Sequence, residues 1–263
     1  MSQKLKADYW RGLDFYMPSK DKLSHVIIVG CGAIGSYAAL GFARMGVKRL
    51  TLIDHDTVAA HNIPNQFFAE SLALTEDLLK TTILSTTIKY IVPDVIIKEI
   101  PIKWEEIIDY GAEIGEASAI ITAVDKMEVR GYILDNYFVK SYVHYLLDSR
   151  TGGLYTNIFN IDMKKSAERD YYKFTLHTNE EASPLSCSGQ SIVDVSMGVA
   201  ADLVGIYRTL IMKGTHPSMH TFHDYSTGLS WIQQARKVEQ GQFITTEENI
   251  LAVGTEPENT EGR

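Results

Sequence analysis

The first half of the chain alternates short apolar runs with stretches that carry apolar residues at helical spacing. Residues 25–29 are a β-branched run ended by glycines, and residues 33–44 then have small and apolar side chains at helical density. Further strands are predicted at 49–54, 95–100 and 117–122, and further helices at 76–90, around 104–110 and at 126–138. This alternation predicts an α/β fold with a Rossmann-like, doubly wound and mainly parallel sheet.

The second half of the chain has a different pattern, with strands that follow one another directly. Two strands at 142–147 and 154–161 flank Gly152-Gly153, and a final hairpin is predicted from strands at 219–225 and 229–233. A long helix is predicted at 191–212. Residues 162–178 mix polar and aromatic side chains without a clear period, so a loop with at most one strand is expected there. The sheet should therefore gain a C-terminal antiparallel portion.

Length and composition limit the domain organisation and the partners. The chain has 263 residues, 45% of them hydrophobic, which suits one large domain. We expect an N-terminal extension at 1–22, the domain at 23–240 and an acidic tail at 241–263. The net charge of −8 argues against the broad basic surface of nucleic-acid-binding proteins. No signal peptide or membrane-length apolar run is expected, so the sequence predicts a cytoplasmic protein without a membrane or nucleic-acid partner.

A glycine-rich loop follows the first predicted strand. Gly30-Cys31-Gly32-Ala33-Ile34-Gly35 lies between that strand and a helix, where glycines allow a sharp turn and let a phosphate approach the helix N-terminus. Asp54 ends the second strand, where a carboxylate can accept the hydroxyls of an adenosine ribose. These features predict nucleotide binding, but they suit a nicotinamide dehydrogenase or a flavin enzyme equally well.

The segment 54–67, Asp-His-Asp-Thr-Val-Ala-Ala-His-Asn-Ile-Pro-Asn-Gln-Phe, resembles the Asp-x-Asp-x-Val…Asn-x-x-x-Gln stretch of the ThiF/MoeB/HesA family. The resemblance continues with Lys80 on the next helix, Asp125 after the fourth strand and Arg130 one turn later, and it covers about residues 23–160. Family members use ATP and magnesium to adenylate the C-terminal carboxylate of a ubiquitin-like or sulfur-carrier protein. The resemblance therefore implies an adenylyltransferase with such a partner, and it also implies a homodimer.

The resemblance assigns a role to each residue of the nucleotide site. Asp54 would hold the ribose, Lys80 would contact the phosphates, and Asp125 would hold Mg²⁺ near the α-phosphate. Asp56, Asn62 and Gln66 would complete the site. Most of these residues also have a structural alternative: Asp54 as a solvated strand-end acid, Lys80 as a solvated helix lysine, Asp125 as a helix N-cap, and Asn62 and Gln66 as turn residues. Arg130 could instead pair with an acid such as Asp135 or stay in water.

Several positions depart from the family pattern. Asn65 stands where many relatives have an arginine that reaches the phosphates, and Arg11 is a candidate replacement, with a surface or dimer contact as its alternative. The paired cysteines that bind zinc in many relatives are absent from the sequence, so no zinc is expected. His216, His220 and His223 are not predicted to bind a metal, because on a strand the last two would point to opposite faces.

Cys187 precedes the long predicted helix at a position that resembles the cysteine of the sulfur-transfer members. It could accept the activated acyl group, because a helix N-terminus favours a thiolate, or it could be an inert small residue. Two further hypotheses stay open. The loss of the arginine at Asn65 could mark a non-catalytic partner subunit, and an NAD-dependent oxidoreductase would use the same glycine loop.

Overall fold

The computed structural model describes residues 9–68, 78–103, 106, 116–140, 143–176 and 192–233. These residues form an eight-stranded mixed sheet with the order β3-β2-β1-β4-β5-β6-β7-β8. The strands are β1 (His25–Val29), β2 (Arg49–Ile53), β3 (Ile96–Ile100), β4 (Ala117–Thr122), β5 (Val143–Gly152), β6 (Tyr155–Asp162), β7 (His220–Asp224) and β8 (Leu229–Gln233). Strands β1 to β5 pair in parallel and β5 to β8 pair in antiparallel fashion, which confirms the predicted α/β sheet with a C-terminal antiparallel portion.

Five helices accompany the sheet in the described part of the chain. They are α1 (Ala33–Met45), α2 (Lys80–Ile91), α3 (Met127–Lys140), α4 (Ser166–Phe174) and α5 (Val193–Lys213). Short 3-10 helices lie at Trp10–Gly12, Pro18–Lys20 and Ala60–Asn62. Apart from residue 106, the predicted helix around 104–110 lies outside the described residues, as does the tail at 241–263. The domain boundaries stay predictions.

The parallel strands β1, β2 and β4 are buried on both faces, whereas the edge strand β3 is only partly buried. In β1, Val26 and Ile28 belong to the apolar cluster that α1, α2 and α5 cover, whereas Ile27 and Val29 belong to the cluster that α3 and α4 cover. Side chains alternate between the two faces of a strand, so two covered faces require a continuous apolar run. This double burial explains why the sequence predicts the parallel strands so well.

Helix α4 corrects the loop predicted at 162–178. Its nine residues bury only Glu168 and Tyr172, which are four residues apart and therefore lie on the same helix face. The Glu168 carboxylate accepts hydrogen bonds from the Asp162 N–H at 2.7 Å and from Lys165 Nζ at 2.7 Å. A helix that packs through one tyrosine and one ion-paired glutamate gives no apolar period for the sequence to reveal.

The start of α2 also differs from the prediction. The helix begins at Lys80 instead of residue 76, because residues 78 and 79 are held against the chain that follows Asp56. Thr57 and Leu79 form an antiparallel bridge, and the Val58 N–H donates to the Leu78 carbonyl at 2.8 Å. These bonds keep residues 78 and 79 extended.

The segment before β1 is attached to the sheet and to α5 through the side chain of Asp21. The buried Asp21 carboxylate accepts hydrogen bonds from the Tyr16 hydroxyl at 3.0 Å, the Ser24 N–H at 2.8 Å and the Ser118 hydroxyl at 2.7 Å. The Tyr207 hydroxyl of α5 donates to the same carboxylate. Asp21 therefore ties the start of the chain to β4 and to the last described helix.

Helix α5 is long and apolar enough to cross a membrane by length and composition, which the sequence analysis did not expect. Seven of its residues, from Val195 to Leu210, belong to the buried cluster on the α1 face of the sheet. Its packing is that of a core helix.

Candidate functional site

The glycine loop turns sharply between β1 and α1. Gly30 has φ +88°, a conformation that favours glycine, and a Cβ there would lie 2.4 Å from the Ala123 carbonyl oxygen after β4. A Cβ at Gly35 would lie 1.8 Å from the Gly30 carbonyl oxygen. Both glycines are therefore required by the close approach of backbone to backbone.

Gly32 has a different environment, because it borders open space. Among the residues that the structure describes, a Cβ there would meet only the Gln66 Nε2 atom, at 4.0 Å. Helix α1 starts at the next residue, so Ala33 and Ile34 contribute N–H groups of its first turn, which have no partner inside the helix. An open space beside such N–H groups is a suitable place for a phosphate.

Asp54 holds the glycine loop through its side chain. Its Oδ2 accepts the Cys31 N–H at 2.7 Å, and its Oδ1 accepts the Asp56 N–H at 2.9 Å. Burial raises the pKa of the Asp54 carboxyl, and these two N–H groups oppose the rise only in part. Asp54 therefore has a structural role in the loop, and ribose binding through its remaining lone pairs stays a prediction.

Asp56 and Lys80 form an ion pair beside the loop. Lys80 Nζ lies 2.7 Å from Asp56 Oδ2, and the Lys80 N–H donates to the Asp56 carbonyl at 2.9 Å. Lys80 is only 8% exposed, so it is not a solvated helix lysine, whereas the Asp56 side chain is 50% exposed. Burial tends to raise the pKa of Asp56, but the Lys80 ammonium outweighs it and lowers the pKa.

The two amides of the Asn-Pro segment have separate roles. Asn62 Oδ1 accepts the Ala59 N–H at 3.0 Å, and the Asn62 carbonyl accepts the N–H groups of Asn65 and Gln66. Asn62 therefore shapes a turn. The Gln66 side chain faces Gly32, and its buried Oε1 has no hydrogen-bond partner within the part of the chain that the structure describes.

Asp125 lies exposed in the loop between β4 and α3. The preceding Ala123 donates its N–H to the Val29 carbonyl at 2.8 Å and contacts Gly30, so the Asp125 loop adjoins the glycine loop. Helix α3 starts at Met127, one residue later than a cap at Asp125 requires. Magnesium binds proteins through one or two carboxylates together with phosphates and water, and one exposed aspartate beside a phosphate pocket fits that donor set.

Arg130 is buried in a charged cluster below this loop. Its Nε donates to Asp148 Oδ1 at 2.9 Å, and one Nη donates to the carbonyls of Val124 at 2.6 Å and Ser149 at 3.1 Å. The expected partner Asp135 is wrong, because Asp135 lies at the surface, 3.3 Å from Lys173 Nζ. Arg130 therefore fixes Val124, in the loop after β4 and one residue before Asp125.

Asp148 is the centre of this cluster, and the sequence analysis did not identify its role. It is 0% exposed, accepts the Thr122 hydroxyl, and also pairs with Arg150 Nε at 2.8 Å. Burial tends to raise the pKa of Asp148, but the guanidiniums of Arg130 and Arg150 outweigh burial and lower it. The only sequence signal is an acid inside a strand that is otherwise buried.

Arg150 continues the cluster toward α4. Its guanidinium lies 4.2 Å from the centre of the Phe159 ring, and its Nη1 donates to the Thr175 carbonyl at 2.8 Å. The strand then ends in the predicted tight hairpin, in which Gly152 pairs with Tyr155 and Gly153 has φ +63°.

Arg11 lies away from the glycine loop of its own chain. Its guanidinium is 5.4 Å from the Trp10 ring, and the adjoining Tyr9 packs near Gly46 at the C-terminal end of α1. A helix of 13 residues is about 20 Å long, and the glycine loop is at its other end. The phosphate contact of Arg11 stays a prediction that would need a neighbouring copy of the chain.

The remaining candidates are the cysteine and the histidines. Cys187 lies outside the described residues. His216 bonds Ser218, His220 bonds Asn157 and Tyr171, and His223 bonds Ser230 and lies 3.2 Å from Asp202. The three histidines therefore have separate polar partners.

Comparison with known proteins identifies relatives by sequence. The sequence model of the ThiF family matches residues 17–241. The tRNA threonylcarbamoyladenosine dehydratase of Haemophilus influenzae is 37% identical over 71 residues, which are 27% of this chain and 26% of that protein. The molybdopterin-synthase adenylyltransferase of Escherichia coli is 45% identical over 56 residues, 21% of this chain and 22% of that protein. The chain thus matches about a quarter of the length of these two relatives.

Solved structures share the fold. Escherichia coli MccB with ATP superposes with a TM-score of 0.65 and 16% identity, over 88% of this chain and 72% of that one. The same protein with MccA gives a TM-score of 0.66 and 15% identity, over 89% and 74%. At these identities the likeness shows the fold alone.

Proposed function

Because this chain belongs to the ThiF family, we propose that it uses ATP and magnesium to adenylate a carboxylate. The single observation that carries the proposal is the arrangement around Gly32. Among the described residues, the space there is bordered by the first turn of α1 and the Gln66 amide, and the residues that precede Asp125 contact the same glycine loop at Gly30. These groups suit a phosphate, and the Asp54 carboxylate at the end of β2 suits a ribose.

The reaction needs charge neutralisation and alignment more than proton transfer. A carboxylate oxygen attacks the α-phosphorus, a P–O bond forms, and the bond to the leaving pyrophosphate breaks with its electron pair. Magnesium, bound with the help of Asp125, would supply positive charge at the phosphates. The N–H groups of α1 bind the phosphates, and Lys80 supplies an ammonium close to the loop.

Arg130 and Asp148 hold the backbone of the loop that carries Asp125. The Arg130 guanidinium binds the Val124 carbonyl and so fixes the backbone on which Asp125 stands. Asp148 in turn holds Arg130 by a buried ion pair. We infer that these two residues position Asp125 without touching the substrate.

We propose the C-terminus of a ubiquitin-like or sulfur-carrier protein as the carboxylate. Support comes from the relative named as a molybdopterin-synthase adenylyltransferase and from the MccB structure that contains MccA. Transfer of the acyl group to Cys187 would follow adenylation, and a homodimer in the cytoplasm is proposed on the family resemblance.

ATP–pyrophosphate exchange tests the proposed reaction directly. The chain is incubated with ATP, magnesium, labelled pyrophosphate and carrier proteins that end in Gly-Gly, and label should enter ATP only when a suitable carrier is present. Asp125→Asn should reduce the exchange at least tenfold, whereas Asp170→Asn, at an exposed position on α4, should leave it unchanged.

The exchange assay, together with equilibrium binding of ATP and NAD, separates adenylation from the alternative functions. ATP binding without exchange by any carrier would favour a non-catalytic partner subunit, for which Asn65 in place of the family arginine is the motivating residue. Binding of NAD in preference to ATP, without dependence on magnesium, would contradict adenylation. Cys187→Ser should retain exchange and lose any thioester, and loss of exchange as well would contradict a role for Cys187 only after adenylation.

A further inference from the structure

A cavity of about 300 Å³ lies at the end of the sheet opposite the glycine loop. Its walls come from the start of β5, the end of β6, the first turn of α4 and the C-terminal end of α5. Tyr145 of β5 pairs in register with Asp162 of β6, and both line the cavity. The glycine loop follows the carboxyl end of β1, whereas Tyr145 lies near the amino end of the parallel strand β5. The cavity is therefore separate from the proposed nucleotide site.

The charges around the cavity are unequal. Asp162 and Glu168 contribute two carboxylates, and Lys165 contributes one ammonium, whose Nζ lies 2.7 Å from Glu168 Oε1 and 3.7 Å from Asp162 Oδ2. The negative end of the α5 dipole, closed by Gly214, and the positive end of the α4 dipole both face the cavity and oppose each other, so the imbalance comes from the second carboxylate. The lining thus has an excess of negative charge.

A buried acceptor in the lining lacks a donor. Asn160 is 6% exposed, and its Nδ2 donates to the Ser218 carbonyl at 3.1 Å. Its Oδ1 has no hydrogen-bond partner among the residues that the structure describes. A buried polar atom without a partner is costly, and a ligand N–H is one way to satisfy it.

Tyr145 adds a second polar group that is only weakly engaged. Its hydroxyl lies 3.4 Å from the Gly214 carbonyl oxygen, a long distance for a hydrogen bond. Burial, and then the negative charge of Asp162, raise the pKa of Tyr145, so the hydroxyl stays neutral and can accept as well as donate.

We propose that this cavity binds a small organic cation, an ammonium or guanidinium compound with several N–H donors. Unpartnered or weakly bonded acceptors and excess negative charge favour such a ligand, and the volume is at the small end of the range for ligand pockets. The Lys165 ammonium already lies between the carboxylates, which disfavours a bare metal ion. The net charge disfavours an anion. This inference does not depend on the proposed adenylation.

Isothermal titration calorimetry with agmatine as the probe tests the proposal on the full chain. Agmatine should give a saturable heat with one site. The compound 4-guanidinobutyrate, in which a carboxylate replaces the terminal aminomethyl group, should bind at least tenfold more weakly, and glutarate should not bind. The absence of saturable heat with agmatine, while circular dichroism shows a folded protein, would overturn the proposal, and so would equal binding of the three compounds.

A matched pair of variants locates the binding. Asp162→Asn keeps an oxygen that can accept the Lys164 N–H but removes one charge from the cavity, so agmatine should bind roughly tenfold more weakly. Asp135→Asn removes a surface charge of the Lys173 pair and should not change the affinity. Equal affinities in the two variants would overturn the assignment to this cavity.

Two further titrations define the site and its ligand. Agmatine affinity should be the same with and without saturating ATP, and competition between them would place agmatine at the nucleotide site and contradict the inference. A blocked Gly-Arg-Gly peptide presents the same guanidinium as a side chain. Tighter binding of the peptide than of agmatine would support the cation site and identify its source as a protein side chain; weaker binding would support a free small molecule.

Discussion

Two aspartates lie where the parallel strands end, Asp54 directly after β2 and Asp148 in β5 opposite the last residue of β4, and their environments are opposite. Asp148 in β5 is fully buried between two guanidiniums, which lower the pKa of its carboxyl although burial alone would raise it. Asp54 after β2 is held by two backbone N–H groups, and burial raises its pKa. The charge of Asp148 is compensated by two guanidiniums inside the protein, whereas Asp54 has no direct ion pair in the described part of the chain.

This difference separates support from function. The cluster of Asp148, Arg130 and Arg150 has partners on every side and can only position its neighbours. After β2, Asp56 is half exposed and pairs with Lys80, and its N–H binds the Asp54 carboxylate that also holds the glycine loop. A ligand can therefore exchange with groups near β2 without leaving a buried charge unpaired.

Removal of the Asp148 carboxylate should have the largest effect on stability. Asp148→Ala leaves two buried guanidiniums without their common partner, so the free energy of unfolding should fall by about 3–5 kcal/mol. Urea denaturation monitored by circular dichroism measures the change. Asp135→Ala, which removes an exposed ion pair, should cost no more than about 1 kcal/mol. Equal losses in the two variants would contradict a special stabilising role for the buried Asp148.

Lys80→Met should lower ATP affinity strongly and stability only slightly. Its partner Asp56 is half exposed and can be solvated, so the loss of stability should stay near 1 kcal/mol. ATP affinity should fall at least tenfold, about 1.4 kcal/mol, because a cation beside the phosphate space is lost. Equilibrium dialysis with labelled ATP measures this. Unchanged ATP affinity with a large loss of stability would mean that the Lys80–Asp56 pair, like the Asp148 cluster, stabilises the fold and does not bind the nucleotide.

The pH dependence of stability sharpens the contrast between the two aspartates. The folded-state pKa of Asp148 lies below its unfolded value of about 3.9, so its stabilisation is present above that pH and is lost as the pH falls through the folded pKa. Asp54 has a raised folded pKa, so its ionisation costs stability as the pH rises above about 3.9. Unfolding of the native chain and of Asp148→Asn, measured from pH 7 to pH 3, should show a steeper acid loss in the native chain.

Gly32→Ala should have the smallest effect on folding, since a Cβ there has room. Stability should change by less than about 1 kcal/mol, because alanine is a poorer N-cap than glycine but also lowers the entropy of the unfolded chain. The added methyl group would project toward the space proposed for phosphate, so ATP affinity should fall a few-fold. Differential scanning fluorimetry with and without ATP separates the two quantities, and an unchanged ATP shift would place the phosphates elsewhere.

The strands could be predicted from the sequence because burial on two faces leaves a local signal. Residues 25–29 and 117–122 form strands residue for residue as expected. Helix α4 could not be predicted, because its contact with the sheet depends on Tyr172 and on the ion-paired Glu168, which a hydrophobic period does not register.

The candidate site was predictable where its residues form a local motif. The turn at Gly30 and the place of Asp125 after β4 follow from strand, loop and helix in sequence. The partner of Arg130 could not be found that way, since Asp148 is 18 residues distant and meets it only when β4 and β5 pair. The sequence also does not reveal that both carboxylate oxygens of Asp54 accept hydrogen bonds from backbone N–H groups.

The hydrogen bonds to Asp21 bear on how the protein can be shortened. Tyr207 is 186 residues from Asp21, so this contact joins distant parts of the chain much as a covalent cross-link would. A truncation that begins at residue 24 would leave the hydroxyls of Tyr207 and Ser118 without their acceptor, deep in the fold. A shortened chain that begins at residue 9 keeps the hydrogen bonds to Asp21, and it should resist proteases as the full chain does.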